Sequence, residues 1–247
     1  MLFFMRFFKI CGCIFISAHA AYASTQSVTV STFSIPPWGM FVASQPAGIT
    51  FEMANVIAKE AGLKIDNTIL PFPRFWMAMQ SGEIDFGLMH RTPESEAVAE
   101  PLARTFVDPE IILLPKKGLS FRQLEDMANL SLGVTRGGLE LQDARISQNK
   151  SIRIFEFTNE SQGIRMLHSN RFDCIISSKE AILYEMKAAG FAPSDFGVPL
   201  TLSQKEGWVM FSKKSPRQDL KERIRQATQK LQKQGVFLKI RKKYLGY

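Results

Sequence analysis

The sequence predicts an α/β protein made of two similar units that face each other across a cleft. Three observations carry this reading. Strand-like and helix-like runs alternate along the chain, the order expected of parallel sheets with helical crossovers. The same succession of strand, turn and capped helix repeats in the second half. No low-complexity linker separates the halves, so the two units must abut, and open α/β sheets bind ligands outside the carboxyl ends of their strands.

Composition narrows the class. A chain of 247 residues suits one or two domains of about 100–200 residues each. Hydrophobic residues make up 45% and charged residues 22%, which excludes disorder and collagen-like or coiled-coil architecture. Long apolar runs do not recur, which excludes a polytopic membrane protein. Lys and Arg outnumber Asp and Glu by 31 − 23, a net charge of +8. With three Cys and three His, neither a multi-ligand metal site nor any other cofactor is expected.

The first segment reads as a secretory signal peptide over residues 1–23. Arg6 and Lys9 lie in its first part, residues 10–18 are apolar, and two small-x-small steps follow, Ala18-His19-Ala20 and Ala21-Tyr22-Ala23. Cleavage is placed after Ala23 or after Ala20. A membrane anchor is the weaker reading, because the apolar run is short for a span and interrupted by charge. Lys9 also lies too close to Cys13 for a lipoprotein signal. Removal leaves 247 − 23 = 224 residues and a net charge of +6, with Cys174 as the sole thiol. That cysteine, in Cys174-Ile175-Ile176, reads as a small buried hydrophobe. The expected compartment is the periplasm or the cell exterior.

The elements follow in order. Val28 to Val30 opens as a strand, and Ile35-Pro36-Pro37-Trp38-Gly39 must be a loop, since two prolines cannot join a central ladder. Thr50 is placed to cap a helix burying Met53, Ile57 and Ala61 and ending at Gly62. Ile65 to Leu70 is a strand; Pro73 starts a helix that Gly82 ends. Ile84 to Met89 and Ile111 to Leu114 are strands. Ser120 and Gln123 suggest a capping box, with Leu119 and Leu124 as a staple. Leu132 to Val134 is a strand leading to Thr135-Arg136-Gly137-Gly138 and a helix. Ile152 to Phe157 is a strand, and Asn159 with Gln162 starts a helix through Ile164 and Leu167. Phe172 to Ile176 is a strand; Ser177 and Glu180 suggest a second capping box, with Gly190 as the stop. Gly207 to Phe211 is the last strand, and Leu220, Ile224, Ala227 and Leu231 mark one face of a closing helix.

Several of these segments together resemble a known family. Ile35-Pro36-Pro37-Trp38, Ala78-Met79-Gln80-Ser81-Gly82-Glu83-Ile84-Asp85, Thr92-Pro93-Glu94, Leu132-Gly133-Val134 with Arg136-Gly137, Asn170-Arg171-Phe172-Asp173 and the closing run from Gly235-Val236 to Lys243-Tyr244 resemble, in order and spacing, motifs of bacterial extracellular solute-binding proteins of family 3, the polar-amino-acid type. The resemblance covers nearly all of the chain after the leader. It implies a two-lobed type II periplasmic-binding-protein fold with a central ligand cleft and a two-strand hinge. Lobe one would hold residues 24–107 plus 208–247, and lobe two residues 108–207. The lobes would close on a small-molecule ligand, and the closed form would be read by an ABC permease or a membrane sensor. A monomer with no nucleic-acid partner is expected.

The chain departs from the family pattern at three positions. The resemblance implies an Arg after Thr-Pro-Glu that clamps a ligand carboxylate; here it is Ser95. It implies a hydroxyl residue after the Gly of the turn; here it is Gly138. It implies an ammonium-binding Asp five residues beyond Asp173; here it is Ser178. An ordinary α-amino acid in the ordinary pose is therefore not expected. The residues expected at the ligand are Trp38, Phe72, Arg74, Arg91, Thr92, Thr135, Arg136, Gly137 and Ser178, and the three arginines point to a small polar or anionic molecule, with Trp38 able to stack on it. Arg74 and Arg136 also fit as solvated helix-start residues, Trp76 fits a core position, and His90 and His168 fit surface or satisfied positions.

Two rivals stand beside binding. The resemblance admits a dehydratase-like enzyme on the same fold, for which Glu180 or Glu94 would be the nearest acid or base. The basic tail of Lys239, Arg241, Lys242 and Lys243 could meet a polyanion, although such a cluster is usually a solvated face. No phosphate loop, dinucleotide fingerprint or serine-nucleophile elbow occurs.

Overall fold

The computed structural model describes residues 26–136 and 144–246. The leader and the turn residues Gly137 and Gly138 lie outside them. The described chain begins with β1 (Ser27–Phe33), the loop containing Trp38, and a hairpin of β2 (Met40–Val42) and β3 (Gln45–Ala47). Next come α1 (Ile49–Glu60), β4 (Lys64–Leu70), α2 (Phe72–Ser81), β5 (Phe86–His90), α3 (Pro93–Val98) and β6 (Ala99–Arg104). The chain then crosses to a second sheet with β7 (Glu110–Pro115), β8 (Ser131–Thr135), α4 (Ala144–Ser147), β9 (Arg153–Phe157), α5 (Glu160–His168), β10 (Cys174–Ser178), α6 (Lys179–Ala188) and β11 (Leu200–Gln204). It returns through β12 (Gly207–Ser212) and ends with α7 (Lys221–Lys233) and α8 (Val236–Leu245).

Two five-stranded sheets result, ordered β4-β1-β5-β12-β6 and β11-β7-β10-β8-β9. The expectation of parallel sheets is corrected, since both are mixed. β1 runs parallel to β4 and β5, and β8 parallel to β9 and β10, but β12 is antiparallel to β5 and β6, and β7 to β10 and β11. The physical reason is the crossing itself. One segment leaves the first sheet and the other returns to it, so they lie antiparallel, and so do the strands they continue. Thr105 N–H donates to the Gly207 carbonyl at 2.8 Å, Gly207 N–H to Asp108 Oδ1 at 2.9 Å, and Lys205 N–H to the Pro109 carbonyl at 2.9 Å. These bonds make the two-strand hinge.

Each sheet is covered on both faces. On the first, Val28, Val30, Phe86, Leu88, Val209 and Phe211 pack with Met53 and Ile57 of α1 and with Ile224 and Leu231 of α7. Its other face packs Phe75 and Met79 of α2 against Met89 and Met210. In the second sheet Leu113, Leu132, Cys174 and Ile176 face Met127 and Ile146, while Leu114 and Ile175 face Ile164, Leu167 and Ile182 of the helices. Cys174 is fully buried, as expected, and burial pushes its thiol well above the ordinary range.

Local signals mostly hold, with shifted caps. Gly82 ends α2 in the left-handed region at φ 82°, where a Cβ would meet the Lys214 carbonyl at 2.4 Å. Asn159 caps α5 and accepts from Gln162 N–H, as expected. Thr50, however, does not cap α1: Gly48 does, and Thr50 Oγ1 donates to the Trp38 carbonyl at 2.8 Å. The cap expected at Ser120 forms at Gln123 with Asp126 on a single 3-10 turn. The cap of α6 is Ser178 rather than Ser177, because β10 continues one residue further.

Both family-like Asp residues tie strands together. Asp85 accepts from Thr29 N–H at 2.8 Å, and Asp173 accepts from Ser131 N–H at 2.8 Å and Ser131 Oγ at 2.6 Å. Tyr244 in the closing motif accepts from Gly48 N–H at 2.9 Å and so docks α8 on the start of α1.

Candidate ligand site

The carboxyl ends of β1, β5, β8 and β10 converge on one cavity between the two sheets. Its space open to the centre of a water molecule is about 100 Å³, several times the roughly 10–15 Å³ that one water needs. The first-sheet wall is formed by Phe33, Ile35, Trp38, Met53 and Phe72, with Leu88, Met89 and His90 from β5. The hinge supplies Thr105, Val107, Pro109, Gly207 and Trp208. The second-sheet wall is mostly polar: Thr135, Arg136, Glu160, Ser177 and Ser178, with Ile111 of β7. An apolar, aromatic wall thus faces hydrogen-bonding groups, the usual make-up of a small-molecule site.

The local sequence explains the aromatic wall. The two prolines take the chain out of β1, and Trp38 N–H donates back to the Ile35 carbonyl at 2.8 Å. Thr50 holds the Trp38 carbonyl. The indole then reaches the opposite wall, where Nε1 donates to Ser178 Oγ at 3.1 Å. Trp38 is buried and packs with the core of the first sheet. Phe72 packs edge-on to Phe33 at 6.0 Å and stacks on Trp76 at 6.3 Å. Trp76 is a partly buried packing residue, in line with its core reading.

Of the residues expected at the ligand, Trp38, Phe72, Thr135, Arg136 and Ser178 line the cavity. Gly137 lies outside the described residues. Arg74, Arg91 and Thr92 are not among the lining residues. Arg74 projects from α2 into solvent. Arg91 pairs with Glu96 and lies over the Trp208 ring at 5.0 Å, so it backs the wall. Thr92 caps α3: its Oγ1 accepts from Ser95 N–H at 3.2 Å, and Ser95 Oγ accepts from Thr92 N–H at 2.9 Å. Ser95 is therefore a buried capping residue. Ser178 accepts from both Trp38 Nε1 and Ala181 N–H. Arg136 reaches the cavity, but its side chain is 69% exposed and its Nε lies 3.3 Å from Glu156 Oε2.

Glu160 lines the cavity although no motif in the sequence singles it out. The residue is 2% exposed, and Oε1 accepts from Thr135 Oγ1 at 2.8 Å and Ser177 Oγ at 3.4 Å. Burial raises its pKa, opposed by the hydrogen bonds from Thr135, its own backbone N–H and Ser177. In sequence it is only an acid in the first turn of a helix, a common surface feature. His90 was also misplaced. It lines the cavity, and burial, aided by the charge of Lys205 against that of Asp108, lowers its pKa to about 4, so the ring is neutral at pH 7. Glu180, the acid proposed for catalysis, is not among the lining residues and pairs with Arg241 at 3.0 Å; Glu94 is exposed. Within the basic tail, Arg241 and Lys243 are both paired, the latter with Glu52 at 2.6 Å. Among the described residues no group of His, Cys, Asp and Glu could hold a metal ion.

Residues 28–247 match the bacterial extracellular solute-binding proteins, family 3. The chain belongs to this family. It is 22% identical over 204 residues to the arginine-binding extracellular protein ArtP of Bacillus subtilis (strain 168), covering 80% of this chain and 77% of that protein. Among solved structures it is similar to an ancestral arginine-binding protein bound to glutamine, with TM-score 0.74 and 24% identity over 90% of this chain and 98% of that one. It is also similar to a histidine kinase sensor domain with similarity to periplasmic binding proteins, with TM-score 0.77 and 16% identity over 90% and 97%. At these identities the structures establish the fold: this family 3 protein has the two-lobed type II periplasmic-binding-protein architecture. No helix among its described residues is long and apolar enough to cross a membrane.

Proposed function

We propose that this family 3 protein captures a small polar solute between lobes of residues 24–107 plus 208–247 and 108–207, and presents the closed form to a membrane partner, an ABC permease or a sensor. The observation that carries the reading is the cavity itself. Residues of both sheets line it, and the Trp38–Ser178 hydrogen bond joins its walls. A ligand touching both walls favours the closed arrangement by its differential affinity. The expected site is periplasmic or extracellular, after loss of a leader over residues 1–23. The arginine-binding name of one relative and the glutamine bound to an ancestral protein support a nitrogen-bearing solute of amino-acid size.

No chemistry is included in this reading, because Glu180 is committed to Arg241 and Glu94 is exposed. The test is solution scattering with a thermal-shift panel of amino acids, amines, dicarboxylates and aromatic acids. A bound ligand raises the melting temperature by mass action and reduces the radius of gyration. A panel that changes neither quantity overturns the proposal, and a ligand recovered chemically altered after incubation replaces it with the dehydratase-like reading.

A further inference from the structure

We propose that Glu160 holds the cationic end, an ammonium or guanidinium group, of the solute bound in this cavity. This rests on the solute-binding reading above and goes further by naming the charge of the ligand and the residue that selects it.

The geometry points this way in three steps. Glu160 is the one carboxylate among the described lining residues, it is 2% exposed, and no described residue forms an ion pair with it. A buried carboxylate is costly unless charge and hydrogen bonds compensate it. Thr135 and Ser177 both donate to Oε1, and the backbone N–H of Glu160 also bonds the carboxylate, so neutral donors orient it while no cation among the described residues pairs with it. A ligand cation would supply what is missing through charge-assisted hydrogen bonds.

The rest of the cavity agrees. His90 is neutral and adds no repulsion to a cation. Arg136 is largely in solvent beside Glu156. Ser178, the position that the family resemblance makes an ammonium acceptor, is occupied by Trp38 and Ala181. Trp38, Phe72 and Trp208 offer aromatic surface to the stem of an organic cation. The ligand class is an amine or guanidine on an apolar or aromatic body.

Isothermal titration calorimetry on the purified protein tests this with matched probes: L-arginine against L-citrulline, its uncharged near-isostere, and phenethylamine against 3-phenylpropionate. At least one cation should bind at least about ten-fold more tightly than its partner, as expected for a charged hydrogen bond. Glu160→Gln keeps an oxygen for Thr135 and Ser177 and should abolish that preference, whereas Glu160→Asp, which keeps the charge, should retain part of it. Agmatine separates the two sources of such a cation: binding equal to that of L-arginine supports a simple amine, and binding by L-arginine alone supports an amino acid. Citrulline or 3-phenylpropionate binding as tightly as the cations, or a preference unchanged in Glu160→Gln, overturns the role of Glu160 and leaves solute binding intact. If Glu160→Gln does not fold, the wild-type pairs and Glu160→Asp decide: equal binding within the wild-type pairs, or a preference in Glu160→Asp no weaker than in the wild type, overturns the proposal. No binding by any probe overturns this inference together with the solute-binding reading.

Discussion

Arg241 of α8 donates to Glu180 of α6 at 3.0 Å, joining a helix packed on the first sheet to one packed on the second. Glu180 is 1% exposed, and its second oxygen is buried without a hydrogen-bond partner. Burial raises its pKa, against its own backbone N–H and Arg241. Removing one partner of a buried pair leaves a charge that water cannot reach unless the lobes part. Arg241→Met should therefore lower the melting temperature of the ligand-free protein by about 2–4 °C per kcal/mol lost at this chain length and enlarge its radius of gyration. Glu180→Gln in the same background should recover part of the loss; a strictly additive double-mutant cycle would deny the coupling.

The Trp38–Ser178 bond predicts an asymmetry. Ser178→Ala leaves the buried indole N–H without its acceptor and also removes the cap of α6, so it should cost about 1–3 kcal/mol by denaturant unfolding. Trp38→Phe keeps an aromatic wall and leaves Ser178 bonded to Ala181, so it should cost less in stability while weakening ligand binding. Equal costs for the two variants would remove the bridging role.

Asp173 makes stability sensitive to strong acid. Burial raises its pKa, but the Lys116 ammonium at 2.7 Å and the Ser131 hydroxyl and N–H outweigh burial and hold it at about 2. The folded pKa lies below the unfolded value, so the contribution is present above about pH 4 and lost as pH falls toward 2. Asp173→Asn should flatten the stability profile in that window and cost about 1–2 kcal/mol at neutral pH, read from urea unfolding at stepped pH.

His90 acts at milder acidity. Its folded pKa of about 4 lies below the ordinary 6.5, so the unfolded chain binds the extra proton first. Stability should fall as pH drops from about 6.5 to 4, by roughly 2–3 kcal/mol. His90→Gln should remove most of that slope; an unchanged slope would mean that the ring is not kept neutral in the cavity.

The fold was largely legible along the chain. Short strands such as Leu132–Val134, the αL stop at Gly82 and the Asn159 cap are local events, set by backbone sterics and hydrogen bonds within a few residues. The caps form at Gln123 and Ser178 because each segment holds more than one capping residue (Ser120 and Gln123, Ser177 and Ser178), and the choice between them depends on where the adjoining strand or turn ends. The direction of β7 and β12 was misread because a strand carries no mark of the chain crossing between sheets.

The site divided differently. Trp38 and Phe72 follow prolines that set their loops, so their place at the cavity could be read in sequence. Arg91 and Arg74 carry the same charge as Arg136, yet Glu96 and Trp208 hold one and solvent surrounds the other. Sequence alone determined the α/β class, the two units and the family, because these follow from periodicity and from motifs of neighbouring residues. Only the tertiary structure decided that Glu160 enters the cavity, that Ser178 meets the Trp38 indole, and that Arg241 meets Glu180. Those facts depend on which distant groups share a buried volume, and in that volume the cost of burying charge, absent from any local pattern, selects the partners.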